Sequence, residues 1–440
     1  MEIKDRYTLK DKLKAMGPGI LVVGSFIGPG TVTSATKAGA GYGYALLWTV
    51  VFSVIAVIVM QEMAARLGIV TQNGLAEELV KDLSDRPPLK WLMVALVAAA
   101  ITLGGFAYMG GDLTGTAIGL SAITGIPSNI IAPIWGCCIL VIINIGDAVK
   151  SLEKLLSVCV SVMAIVFVVT MIVVKPDLGT VFSGALPSVP EGSIMTCVSL
   201  IGTTVVPYNM FIHATSSRKT WHDPKQLPLA RFDTTVSMII GGLITGSVMI
   251  TAGTVMRGME VNSAIDMAVQ LEPTLGSFSI PFLAMGLIAA GISSAVITPL
   301  GVSYVLAGLF GWEMNKKDKR FFWTNIAVVV AGIIVAATGF NPIWIIMTAQ
   351  AVNGIFLPII VFTLVYVTSR SRVMGQYKNS MIQNVLGAAV FLISLVIGIN
   401  SLTSLFWSKG MASSVRRSPV RDRRTFQFYR HDGQAPRHRI

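Results

Sequence analysis

Apolar stretches long enough to cross a bilayer recur from one end of this 440-residue chain to the other. A water-facing domain has no core large enough to hide so many of them. The chain therefore reads as an all-α polytopic membrane protein. Composition agrees: 53% of residues are hydrophobic and 13% charged, where a soluble domain carries about 25% charge. The four cysteines, Cys137, Cys138, Cys159 and Cys197, lie in or beside apolar segments without metal-ligand spacing and read as small core residues.

Eleven spans are expected, near residues 17–40, 44–65, 91–125, 129–149, 155–174, 192–214, 234–256, 278–310, 321–338, 342–368 and 381–406. With the N-terminus cytoplasmic, the loops and helix ends on that side hold twenty-two Lys and Arg, including Lys10, Arg66, Arg231 and Lys316. The opposite loops hold two, Lys175 and Arg257. This bias sets the orientation, in a plasma (inner) membrane. Membrane lipids are then the constant partner. Residues 407–440 form a basic tail rich in Ser, Pro, Arg and Gln, expected to be disordered. It has no folded nucleic-acid reader, so no nucleic-acid function is assigned.

Two of the expected spans carry helix breakers. The first is Ser25-Phe26-Ile27-Gly28-Pro29-Gly30-Thr31; the second is Val205-Val206-Pro207-Tyr208-Asn209. Proline removes an amide donor and clashes with the preceding turn, and glycine tolerates the unwound backbone. Backbone groups freed in hydrocarbon need protein, water or substrate as partners. Five spans precede the second break and five begin with it. An odd number per half inverts the topology of the second half, the architecture of many secondary transporters. The repeats would cover about 15–175 and 190–368, with 381–406 an addition, inside a transmembrane domain of residues 1–406.

Polar residues at membrane depth are the candidate machinery. Thr31 follows the first break; Thr203, Tyr208 and Asn209 flank the second. Asp112 falls within the third span, and Glu62 lies one turn from Arg66. Asp147 and Glu153 sit at the inner end of the fourth. His213 can titrate near neutral pH. With Glu62 and Asp112 it completes the set of coupling candidates. Ser294 and Thr298 share one helix face and can line an ion path. Gln350 and Asn353 can face the same pathway, and Lys37 can add positive potential. No catalytic pair, cofactor motif or phosphate-binding loop stands out, so neither an enzyme nor a cofactor is expected.

The runs MQEMAARLGIVTQNGLAEEL (60–79), KPDLGTVFSGALPSVP (175–190), VVPYNMFIHA (205–214), GISSAVITPLGVSYVLAG (291–308) and AQAVNGIFLP (349–358) carry a resemblance. Over about 15–406 the chain resembles the Nramp family of proton-coupled divalent-metal transporters. The resemblance implies a LeuT-type fold with 5+5 inverted repeats and an eleventh transmembrane helix. It also implies substrate contacts at the positions of Gly28, Thr31, Thr203, Val206 and Gln350, to which Tyr208 and Asn209 are added on their own capacity to donate and accept hydrogen bonds. Family members typically have Asp-Pro-Gly-Asn in the first break and a metal-binding Met before Pro-His in the second. This chain has Gly28-Pro29-Gly30-Thr31 and Val206-Pro207-Tyr208. Thr203 stands at a family alanine, Gln350 matches a family glutamine and His213 a further family histidine.

With the usual acidic and methionine ligands absent, the expectation is a secondary transporter of metal ions with non-standard selectivity. A hard ion such as Mg²⁺ is favoured over Mn²⁺ or Fe²⁺, because soft sulfur selects transition metals and a hydrated hard ion is content with oxygen. Coupling to protons is the family implication. The alternatives are a transporter of a small anionic or zwitterionic organic solute, held by half-helix amides, and a transport-inactive sensor or regulator.

Overall fold

The computed structural model describes residues 7–144 and 148–415. Its helices in chain order are α1 (Pro18–Phe26), α2 (Pro29–Tyr42), α3 (Leu47–Thr71), α4 (Pro87–Thr124) and α5 (Ser128–Ile142). Next come α6 (Ala148–Val173), α7 (Ile194–Thr204), α8 (Pro207–Thr220) and α9 (Leu227–Val255). The series closes with α10 (Ser279–Phe310), α11 (Lys319–Ala336), α12 (Pro342–Ser369) and α13 (Met381–Val415). Asp147 and the tail beyond Val415 lie outside the described residues.

Proline opens α1, α2, α4, α8 and α12, where its missing N–H has no helical partner to lose. Among the described residues, nine helices are long and apolar enough to span a membrane. The α1–α2 pair, bent by 61°, makes a tenth, while α7 and α8 together form one span of 27 residues. The expected span at 129–149 is met only by α5, whose 15 residues cover about 22 Å against a hydrocarbon core of about 30 Å. Large apolar side chains on the outer helices stay uncovered, Ile134 on α5, Ile165 and Ile172 on α6 and Val396 on α13 among them. Lipid is their solvent. Of the cysteines expected in the core, Cys197 is buried but Cys137 is exposed, because its face of α5 is an outer one.

The centre is built on α4, which packs along α10, α12 and α11. Helix α4 runs without a break for 38 residues, and its glycines serve close packing. A Cβ on Gly105 would stand 2.3 Å from Val302, and one on Gly115 would stand 2.1 Å from Pro29. Helix α10 and the first break thus rest directly on the α4 backbone. On the other side of the breaks, α2 packs on α9, α8 on α3, and α7 on α12.

Candidate transport site

The two breaks share one backbone. Ile27 (φ −78°, ψ 76°) and Val205 (φ −100°, ψ 70°) end the first half-helices. Gly28 (φ −119°, ψ −174°) and Val206 (φ −73°, ψ 123°) are extended, and Pro29 and Pro207 restart the helix. Neither Gly28 nor Gly30 takes a positive φ. Their absent side chains, not their backbone freedom, are therefore what the fold uses. At Gly30 a Cβ would stand 2.1 Å from Gln350 Nε2, so the glutamine carboxamide would have to swing out of its place at the break. At Gly28 space remains, with Ser294 the nearest neighbour of an added Cβ at 3.8 Å.

Ser294 leads to the carboxylate the break itself lacks. Its Oγ donates to Asp112 Oδ2 at 2.9 Å, and Thr298 Oγ1 donates to the same oxygen at 3.0 Å. Oδ1 takes part in neither bond. Tyr208 OH lies 3.2 Å from Thr298 Oγ1, whose proton is already committed to Asp112, so the tyrosine donates. Asp112 and Tyr208 are both buried. Helices α4 and α10 thus bring Asp112, Ser294 and Thr298 together between the two breaks, with Tyr208 of α8. Sequence reasoning missed Tyr108, whose ring meets Tyr208 edge-on at 5.9 Å. The available signal was its position, one helical turn before Asp112.

Beyond the breaks, on α2 and α7, Thr31 Oγ1 and Thr203 Oγ1 pair at 2.8 Å. The buried carboxamides of Asn209 and Gln350 have no protein partner for either polar atom. An unpaired buried amide costs about 1–3 kcal/mol. Two of them around the same breaks are donor and acceptor capacity that a hydrated ion can use. A cavity of about 490 Å³ runs beside α1 between α6, α9 and α10, with Ile27, Ser293 and Ile297 among its lining residues.

Other candidates stand apart. Glu62 is engaged by Arg66 Nε at 3.1 Å, Arg231 Nε at 2.9 Å and Gln383 Nε2 at 3.1 Å, tying α3, α9 and α13. His213 Nδ1 bonds Gln61 Oε1 at 2.9 Å, and its Nε2 has no partner. Lys37 Nζ reaches the carbonyl of Val261 at 3.5 Å, so its charge is not directed at the first break. Asn353 Oδ1 lies against Gly104 of α4. The side chain of Glu153 falls outside the described residues. Among the described residues, no three His, Cys, Asp or Glu side chains are grouped to hold a metal ion. Any cation here is met by one carboxylate and neutral oxygens.

A family model for natural resistance-associated macrophage protein-like (Nramp) proteins matches residues 19–404. The chain belongs to the Nramp family. The divalent metal cation transporter MntH of Aeromonas hydrophila is 27% identical over 408 residues, covering 89% of this chain and 95% of that one. The natural resistance-associated macrophage protein 2 homolog of Dictyostelium discoideum is 24% identical over 91% of this chain and 64% of its own. Among solved structures, the Eremococcus coleocola manganese transporter superposes with TM-score 0.73 at 21% identity, covering 90% of this chain and 87% of that one. MhsT in complex with L-phenylalanine gives 0.53 at 15%, covering 88% and 98%. The chain is a polytopic integral membrane protein with a LeuT-like fold, and a transporter family member rather than an enzyme.

These relatives correct one expectation. The non-standard selectivity, with Mg²⁺ ahead of Mn²⁺ or Fe²⁺, was drawn from ligands missing at the two breaks of this Nramp chain. Its curated relatives are divalent metal cation transporters, and its structural neighbour is a manganese transporter. The ligands absent from the breaks do not decide selectivity alone: Asp112 of α4 bonds Ser294 beside Gly28, and a carboxylate suits Mn²⁺ as well as Mg²⁺. The anionic-solute alternative loses ground too: a buried carboxylate beside the first break is a poor host for an anion.

Proposed function

We propose that this Nramp chain is a secondary transporter of divalent metal ions of the Mn²⁺ and Fe²⁺ class, coupled to protons. The observation that carries the reading is the Asp112 carboxylate, bonded through Ser294 next to the vacant Gly28 position. A bare divalent ion in low dielectric without a counter-charge is prohibitively costly. One carboxylate offsets much of that cost, and water can remain on the ion. Thr31, Thr203, Tyr208, Asn209 and Gln350 supply neutral donors; Gly28 leaves room for the ion's water, and Val206 closes an apolar wall. Asp112 is the coupling group, since one buried carboxylate can hold a cation or a proton but not both. Ser294 and Thr298 steer that exchange. His213 of α8, bonded to Gln61, and Glu62 of α3, held by Arg66 and Arg231, serve the closing of the inner side.

The architecture behind this reading is a 5+5 inverted repeat, α1–α6 against α7–α12, with α13 additional. Two features support it. The breaks at 27–29 and 205–207 have like backbone angles. The packing partners also exchange: α2 with α9 mirrors α8 with α3, and α4 with α12 mirrors α10 with α6. The basic loops support a cytoplasmic N-terminus in the plasma membrane. The test is Mn²⁺ uptake into proteoliposomes with and without an acid-outside gradient. Uptake that rises with the gradient and is lost in Asp112→Asn is the expected result. No Mn²⁺ flux under either condition overturns the proposal.

A further inference from the structure

Above the Thr31–Thr203 pair the same helices build a second polar layer. Ser34 is three residues beyond Thr31 on α2, Ser199 four before Thr203 on α7, and Met347 three before Gln350 on α12. Spacings of three and four keep each pair on one helix face. Ser34 Oγ and Ser199 Oγ lie 2.8 Å apart. Ser199 Oγ is 3.1 Å from the Met347 carbonyl oxygen and 3.6 Å from its Sδ. Both serines are fully buried and Met347 is 6% exposed. The lower layer offers two hydroxyls and a carboxamide from these three helices. The upper layer offers two hydroxyls, a carbonyl and a thioether.

We infer that Ser34, Ser199 and Met347 form an outer subsite for the transported metal ion, in which the Met347 thioether is the soft donor that the second break lacks. The inference rests on the proposed divalent-metal function. In the orientation with the N-terminus inside, α2 and α7 are the outer half-helices, so an entering ion meets this layer first. When the two hydroxyls part, both turn lone pairs to the ion, the carbonyl adds a third oxygen, and sulfur favours borderline and soft cations. The layer carries no charge. It therefore screens and passes an ion to the Asp112 layer rather than retaining it.

Competition against Mn²⁺ uptake by the wild-type chain and variants in proteoliposomes tests this, with Cd²⁺ as the soft probe and Mg²⁺ as the hard one. Met347→Leu keeps the volume and removes the sulfur. It should raise the Cd²⁺ concentration for half-inhibition about tenfold and leave that for Mg²⁺ unchanged. Met347→Cys, with a stronger soft donor, should lower the Cd²⁺ value. A uniform change for both ions in Met347→Leu indicates packing alone and overturns the subsite, as does no change. If Met347→Leu does not reach the membrane, an unmoved Cd²⁺ value in Met347→Cys overturns it instead. Wild-type protein that takes up no Mn²⁺ overturns the proposed function itself. Mn²⁺ uptake with unmoved Cd²⁺ competition overturns only the subsite.

Discussion

The two helix breaks have nearly the same backbone and opposite chemistry. The first, Ile27-Gly28-Pro29-Gly30, brings almost no side chain of its own and is furnished by its neighbours: Ser294 and Asp112 at Gly28, Gln350 at Gly30. The second, Val205-Val206-Pro207-Tyr208-Asn209, is filled by its own buried side chains and extends a phenol to Thr298. An unwound backbone in a membrane needs partners, but the residues that supply them need not sit on the broken helix. In this chain the charge is held by α4, a helix with no break, where packing on glycine and proline fixes its depth.

If the first break borrows its charge, Asp112→Asn should be the most damaging change in the site. Stripping one partner from a buried charged contact costs about 3–5 kcal/mol, so Mn²⁺ uptake should drop by roughly 100-fold or more. Membrane insertion should be normal, because the amide can still accept from Ser294 and Thr298. Returning a carboxylate to the break sharpens the comparison. Gly28→Asp placed in the Asp112→Asn protein should recover a large part of the uptake, and failure to recover any would show that Asp112 acts at some other point.

Steric contrast within the first break comes next. Gly30→Ala forces its methyl onto Gln350, an overpacking that costs about 1–3 kcal/mol, and should reduce uptake about tenfold. Gly28→Ala meets only Ser294 at 3.8 Å, and its uptake should stay within about twofold of the parent. Equal losses from the two substitutions would erase the distinction between a crowded and an open position. The second break should be the more tolerant of a polar deletion. Tyr208→Phe loses one hydrogen bond worth about 1 kcal/mol, and initial uptake rates should fall about fivefold or less.

Much of the fold was legible locally. Proline and the length of apolar runs mark where helices start and how far they extend, and ten of the eleven expected spans are met in place. The span at 129–149 was overextended because apolar sequence continues past Ile142, where the α5 helix ends; hydropathy registers greasiness, not hydrogen bonding. The breaks themselves were readable, since Pro and Gly announce an unwound segment. Tyr108 was not, because one tyrosine on a 38-residue helix has no local feature that marks the ring it will face. Asp112 stood out as a buried charge, but whether it approaches Gly28 depends on how α4 and α10 pack, which no local pattern shows.

The sequence by itself determined that this is a helical membrane protein, where its helices break and which family it resembles. Those properties follow from transfer free energies and backbone sterics, each of which acts within a few residues. Only the tertiary structure decided that Asp112 stands beside a break 84 positions away (112 − 28), and that Met347 sits against the Ser34–Ser199 pair. Those placements depend on the depth and rotation of whole helices against one another. Small contacts such as Gly115 on Pro29 and Gly30 under Gln350 set that depth and rotation, and no local pattern encodes them.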